Sequence, residues 1–134
     1  MKLEKNWRNR TLEALEKQSW GNPDEAPTNL VKRCILLSKV PVSEFSVDDL
    51  RLMIGQHFGL SYLVPIAIEK LTNDLFAEGD LYPGDLLENV LKVKTEFWQE
   101  NKQLWQEVRN LIKNREAELI EAKISVDRFI SVVR

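Results

Sequence analysis

Apolar positions recur along most of the chain at intervals of three and four residues, which is the period of an amphipathic α-helix. This pattern predicts a short helix carrying Leu12 and Leu15 in "NRTLEALEKQSW", and a second helix in "NLVKRCILLSKV". Thr28 is suited to cap the second helix, and Pro41 is expected to end it. The segment "WGNPDEAP" between them holds a glycine and two prolines and predicts a break.

A third helix is predicted in "FSVDDLRLMIGQHFG". Ser46 and Asp49 have the spacing of a capping box, and acids in the first turn suit the positive end of the helix dipole. Gly59 is expected at the left-handed position that ends this helix. His57 is expected near the helix C-terminus, where a protonated ring is favourable.

The next segment, "LSYLVPIAIEKLTNDL", is apolar nearly all round and predicts a central, buried helix. Ser61 is a candidate cap, and Pro65 lies near the first turn. The alternative is a buried strand over residues 62–68, which the embedded proline disfavours.

The C-terminal part predicts a short helix in "DLLENVLKV" and a long helical region from about residue 95 to 122. Charged residues interrupt the apolar stripe between Lys113 and Glu118, so this helix is expected to break or to project into solvent. The tail "ISVDRFISVVR" is rich in β-branched residues and fits either a helical turn or a short strand. We therefore expect an all-α, compact single-domain bundle of about six helices over residues 1–134, with residues 113–134 as a C-terminal extension.

Composition narrows the class of protein. A chain of 134 residues with 43% apolar and 30% charged residues is typical of one globular domain, which at this size needs no disulfide or metal. No apolar run approaches the roughly 20 residues of a membrane span. The start "MKLEKNWRNR" lacks the apolar core of a secretory signal, and a single cysteine, Cys34, excludes an internal disulfide. Together these features predict a cytoplasmic protein.

The net charge of −2 is unevenly distributed. Residues 1–43 carry +3, residues 44–88 carry −7 from two basic and nine acidic side chains, and residues 89–134 carry +2. A stretch of −7 is unsuited to nucleic-acid binding and would suit a basic partner.

The acids cluster in "EGDLYPGDLL", residues 78–87, which could form a metal site, a phosphate loop, a docking surface or a helix start. His57 is the only histidine and no zinc-binding spacing occurs, so no metal or cofactor is expected. "GDLYPG" lacks the lysine and hydroxyl residue of a phosphate-binding loop. Cys34 lies on the apolar face of its helix and is expected to be buried rather than nucleophilic.

A helix start accounts for half of this cluster. Pro83 is suited to the first helical position and Asp85 to the first turn, and the leucines that follow are expected to face inward. Local structure has no need of Glu78, Asp80 or Tyr82. The tryptophans 98 and 105, seven residues apart on one helical face, are expected in the core.

Several phrases together resemble one family. They are "LEALEKQSWGNP", "FSVDDLRLMIGQHFGLSYLVPIAIEKL", "LFAEGDLYPGDLLENVLKV" and the "FW" that follows, and they cover roughly residues 11–112. The chain is similar to the bacterial immunity proteins of contact-dependent growth inhibition systems. The resemblance fades after Trp98 and does not account for residues 114–134.

The resemblance implies a non-enzymatic cytoplasmic protein that binds a cognate toxin domain and blocks its active site or substrate access. Many such toxins are nucleases, so a basic nuclease, with an RNase favoured, is the expected partner. We expect a monomer that forms a 1:1 heterodimer and binds neither nucleic acid nor membrane. The hypothesised toxin-binding residues are Asp74, Glu78, Asp80, Tyr82 and Asp85.

Two alternatives come from other classes of function. A helical adaptor would bind a peptide in a groove lined by residues 60–68, and it requires an exposed apolar patch there. A small acid–base hydrolase would use the acidic cluster itself, and the lack of a second histidine or of metal-ligand spacing counts against it.

Overall fold

The computed structural model describes residues 5–132. The chain divides into two compact units, Met1–Phe45 and Ser46–Arg134. Within residues 5–132 the regular secondary structure is helical and there is no β-strand, which confirms the predicted all-α class. The single domain over residues 1–134 stays a prediction.

The first unit contains two α-helices, α1 (Leu12–Glu16) and α2 (Asn29–Leu37). Short 3-10 turns at Trp7–Asn9, Pro23–Glu25 and Val42–Glu44 join and flank them. The predicted cap of α2 is confirmed, since the Thr28 hydroxyl accepts a hydrogen bond from the Val31 N–H at 3.1 Å. The Glu13 carboxylate accepts from the Trp20 N–H and the Lys39 ammonium, which ties the first turn of α1 to one residue that follows α1 and one that follows α2.

The second unit contains seven of the α-helices of the described chain. They are α3 (Val47–Gly55), α4 (Leu60–Asn73), α5 (Asp85–Leu91), α6 (Thr95–Glu100), α7 (Lys102–Ile112), α8 (Glu116–Glu121) and α9 (Asp127–Ile130). Helix α4 packs against α3, α5 and α7, and α3 also packs against α5. The predicted central helix is thus confirmed, and the alternative strand over residues 62–68 is wrong.

The start of α3 is as predicted, whereas its end is not. At its start the predicted capping box is present, since the Ser46 hydroxyl accepts from the Asp49 N–H at 3.1 Å and the Asp49 carboxylate accepts from the Ser46 N–H at 2.9 Å. At its end the left-handed residue is His57, with φ 63°, rather than Gly59. The N–H groups of His57 and Phe58 bond the carbonyls of residues 54 and 53, the pairing of a Schellman motif.

Gly59 instead precedes α4. It is also left-handed, with φ 60°, and serves as the N-cap residue, so the predicted cap at Ser61 is wrong. Ser61 lies inside the first turn because the C-terminal motif of α3 places the chain in position for α4 two residues earlier than the sequence suggests.

Replacing Ser46 by alanine should lower the free energy of unfolding by about 1 kcal/mol, because the Asp49 N–H loses its partner and the capping box is broken. Urea denaturation followed by circular dichroism measures the change. Ser61→Ala is the matched control and should cost nothing, since that hydroxyl caps no helix. Equal losses in the two variants would contradict the assignment of the cap.

The predicted long helical region of residues 95–122 is three helices. A break between Lys113 and Glu118 is one of the two predicted outcomes and is confirmed, whereas the break at Asn101 was not predicted. Asn101 leaves the helical region, with φ −133° and ψ 58°, and its side-chain amide donates to the Phe97 carbonyl at 2.8 Å and closes α6. Asn114, with φ 65°, then separates α7 from α8. The tail ends in a helical turn, α9, and the alternative short strand is wrong for residues 127–130.

The aromatic core of the second unit joins α6, α7 and α9. Trp98 and Trp105 are buried, as predicted. The Phe129 ring lies 5.2 Å from the Trp98 ring in a T-shaped contact, and it stacks on the Trp105 ring at 5.4 Å. The Trp105 indole N–H also donates to the Phe129 carbonyl at 2.8 Å. The C-terminal segment is therefore part of the core of this unit.

Candidate functional site

The cluster of acids at residues 78–87 contains an exposed loop followed by the start of α5. We call residues 78–83 the acidic loop. Glu78 and Pro83 pair across its base as an isolated antiparallel bridge. Five of its six residues are exposed, namely Glu78, Asp80, Leu81, Tyr82 and Pro83. The loop therefore presents acidic and apolar side chains together.

The carboxylate of Asp85 lies beneath this loop and has no exposed surface. One of its oxygens accepts from the Gly79 N–H at 2.7 Å. The other accepts from the N–H groups of Leu81 and Tyr82, at 3.1 and 3.4 Å. A carboxylate that accepts several backbone N–H groups makes strong, charge-assisted bonds, so Asp85 holds the loop in one conformation.

A second buried carboxylate fastens the loop to α3. Asp48 Oδ1 accepts from the Asp80 N–H at 2.8 Å, across 32 residues of sequence. The same oxygen accepts from Arg51 Nε at 2.5 Å, and Arg51 Nε lies 3.8 Å from Asp85 Oδ2. The guanidinium is itself mostly buried and offsets the charge of both acids, as buried carboxylates require. We call Asp48, Arg51 and Asp85 the clamp.

Gly79 and Gly84 lie where neighbouring side chains approach the backbone too closely to leave room for a Cβ atom. A Cβ on Gly79 would lie 2.7 Å from Asp48 Oδ1 and 3.0 Å from Asp85 Oδ2, so any other residue would push the clamp away from the loop. Gly84 is left-handed, with φ 89°, and a Cβ there would lie 2.8 Å from the Ile124 side chain. Gly84 is the N-cap of α5, so the prediction that Pro83 occupies the first helical position is wrong and Asp85 occupies it.

The Tyr82 hydroxyl donates to the Glu88 carboxylate on α5, which fixes the ring although it is partly exposed. Because this bond favours the protonated phenol, it raises the pKa of Tyr82 to about 12 from an ordinary value of 10.0. A raised pKa means that the contribution of this bond to stability is complete below pH 10 and is lost as the pH rises through about 12.

The structure gives the five predicted site residues two different positions. Asp74 is exposed just after α4, where its carboxylate accepts from the Phe76 N–H at 3.2 Å. Glu78, Asp80 and Tyr82 are exposed on the acidic loop. Asp85 is buried behind them, so in this conformation it supports the loop and presents no surface to a partner.

Sequence reasoning missed Asp48, Arg51 and Leu81. Asp48 lies in the first turn of α3, where the helix dipole alone accounts for an acid. No spacing rule connects it to Asp80. The available signal was the i,i+3 spacing of Asp48 and Arg51 on one helix face, within a segment that has only two basic residues.

The charge of −7 over residues 44–88 therefore overstates the acid available to a partner. Of the nine acidic residues, Asp48 and Asp85 are buried in the clamp and Asp49 completes the capping box. The exposed acids in and beside the loop are Asp74, Glu78 and Asp80.

The structure also bears on the two alternative functions, the peptide-binding adaptor and the acid–base hydrolase. Residues of α4 that would line the adaptor's groove are buried in the second unit, namely Leu60, Leu63, Val64, Ile66, Ala67 and Ile68. Among residues 5–132, no three His, Cys, Asp or Glu side chains are grouped so that they could hold a metal ion. Cys34 is buried, as predicted, and desolvation raises the pKa of its thiol.

No helix within the described range combines the length and apolar character needed to cross a membrane.

Comparison with known proteins identifies the family. The family model of the CDI immunity proteins, where CDI is contact-dependent growth inhibition, matches residues 14–108, which is more than half of the chain. The match includes the clamp and the acidic loop and ends within α7. Neither the curated proteins nor the solved structures give a match. The chain thus belongs to the family of CDI immunity proteins, and the family supports a role in immunity against a CDI toxin.

Proposed function

We propose that this protein neutralises its cognate toxin domain by binding it through the acidic loop, in a 1:1 complex that covers the toxin's active site or substrate surface. The observation that carries this proposal is an exposed group of acids on a loop whose backbone is held by two buried carboxylates. Immunity of this kind is stoichiometric inhibition, and it requires no catalytic group.

The clamp favours binding because it fixes the loop before the partner arrives. Association otherwise includes the entropic cost of ordering loops and side chains at the interface. The N–H groups of Gly79, Asp80 and Leu81 are all bonded to carboxylates of the clamp. The loop therefore loses little backbone freedom on binding.

The charge of the surface indicates the chemistry of the partner. Asp74, Glu78 and Asp80 would pair with lysine, arginine or histidine, and opposite charges would speed the encounter. A nuclease must present such cations to hold phosphate. We therefore favour a nuclease, and an RNase in particular, as the toxin, with inhibition in the cytoplasm of the producing cell.

Reversing two charges tests the proposal. The double variant Glu78→Lys/Asp80→Lys should weaken toxin binding by roughly tenfold or more, mainly through a lower association rate that is most affected at low salt. Biolayer interferometry with the purified toxin domain at low and high salt measures both rates. The substitutions are on exposed side chains, so the thermal midpoint should change little.

The matched control is Glu96→Lys/Glu107→Lys, which makes the same change in net charge on exposed residues of α6 and α7. It should retain nearly all affinity. If the loop variant is folded and binds as tightly as the wild type, the toxin contacts another surface. If both double variants lose affinity equally, net charge rather than the loop is responsible.

A further inference from the structure

The acidic loop exposes an apolar pair between its acids. Leu81 is 60% exposed and Tyr82 is 40% exposed. In the described part of the second unit, the other exposed large hydrophobic side chains, Phe58, Ile120 and Ile130, are separated from one another in sequence. Single exposed hydrophobic residues are ordinary on protein surfaces, whereas adjacent ones mark candidate contact sites.

Most of the Leu81 side chain is exposed, so burial within this fold does not require an apolar residue at this position. What holds this position is its backbone N–H, which donates to Asp85 Oδ2, and any residue with an N–H could make that bond. The ring of Tyr82 is in turn fixed by the bond from its hydroxyl to Glu88. The clamp thus presents an apolar side chain on a fixed backbone beside an immobilised ring.

Resting on the proposed function, we infer that Leu81 is the apolar anchor of the complex and that Tyr82 packs beside it. The partner chemistry that fits is a shallow apolar recess on the toxin domain, rimmed by cationic side chains. Glu78 and Asp80 would pair with this rim, and Leu81 would fill the recess. Anchors of this kind are desolvated at the centre of an interface, where they control dissociation, whereas charges at the rim control association.

The test separates the two rates. Leu81→Ala should raise the dissociation rate of the toxin complex about tenfold or more, with the association rate changed less than about twofold. The loss should be the same at low and high salt. Leu81→Gln, which keeps the volume and removes the apolar character, should weaken binding in the same way. Thermal melting should show both variants folded, because the side chain they alter is exposed.

Ile120→Ala is the matched control, since Ile120 is 76% exposed on α8 and equally apolar. It should leave both rates unchanged. If Leu81→Ala binds as the wild type while Glu78→Lys/Asp80→Lys weakens binding, the loop acts by charge alone and the anchor is refuted, although the proposed function stands. If neither Leu81→Ala nor Glu78→Lys/Asp80→Lys weakens binding, the proposed binding site on the acidic loop is refuted as well. Equal losses in Leu81→Ala and Ile120→Ala would also refute the anchor.

Discussion

Phe129→Ala should destabilise the protein by about 4 kcal/mol, the range found for removing a large buried aromatic side chain. Phe129 is 1% exposed, and its ring contacts both Trp98 and Trp105. The substitution leaves a cavity between these indoles and removes two aromatic contacts. Urea denaturation followed by tryptophan fluorescence measures the change directly, because both indoles report on their surroundings.

Ile130→Ala is the control for this prediction. It lies next in the chain and also loses apolar atoms, but it is 38% exposed, so the expected change is well below that of Phe129→Ala. A loss below about 1 kcal/mol in Phe129→Ala would mean that α9 does not complete the core in solution. The C-terminal extension would then be dispensable for the fold.

Asp85→Ala should destabilise the protein by about 3 kcal/mol, because three backbone N–H groups lose their acceptor and Arg51 loses one of its carboxylate partners. The acidic loop should lose its single conformation as well. Hydrogen exchange at Gly79, Leu81 and Tyr82 should therefore quicken by more than exchange in α4. Denaturation and residue-resolved exchange measure the two effects separately.

The control is Asp127→Ala, which removes an exposed acid from the first turn of α9 and should change stability by less than about 0.5 kcal/mol. If Asp85→Ala is destabilised while exchange at Gly79, Leu81 and Tyr82 stays slow, the loop is held by something other than the clamp. If stability is unchanged, the carboxylate does not carry the bonds described.

One of the two variants lies inside the region matched by the family model and the other lies outside it. Asp85 lies inside residues 14–108, whereas Phe129 lies beyond them. The extension nevertheless reaches the start of α5, since the Ile124 side chain occupies the space that a Cβ on Gly84 would need. Residues outside the family match thus support residues within it.

Much of the local structure was predictable because its signals act within one helical turn. Thr28 and Ser46 cap their helices through N–H groups three residues away, as their spacing predicts. The leucines that follow Asp85 face inward, as the period of three and four requires. The family resemblance was also readable from short stretches of sequence, and the match of the family model to residues 14–108 confirms it.

The end of α3 was predicted wrongly because two residues could have adopted the left-handed conformation that ends the helix. His57 and Gly59 both adopt left-handed conformations, and glycine has the stronger intrinsic preference. The backbone hydrogen bond of Phe58 and the start of α4 decided which of the two residues ends α3. Both depend on how α3 and α4 pack. The break at Asn101 likewise interrupts a periodic pattern that by itself favours one long helix, whereas the break at Asn114 falls in the charged stretch where an interruption is predicted.

By itself, then, the sequence determined the helical class, the caps at Thr28 and Ser46, the inward faces and the family. Only the tertiary structure decided which acids of "EGDLYPGDLL" face water. Asp85 and Asp80 look alike in sequence, yet one is buried beneath the loop and the other is exposed on it. The reason is that the clamp joins Asp48 to Asp80 across 32 residues, and a hydrogen bond over that distance produces no periodic pattern in the sequence.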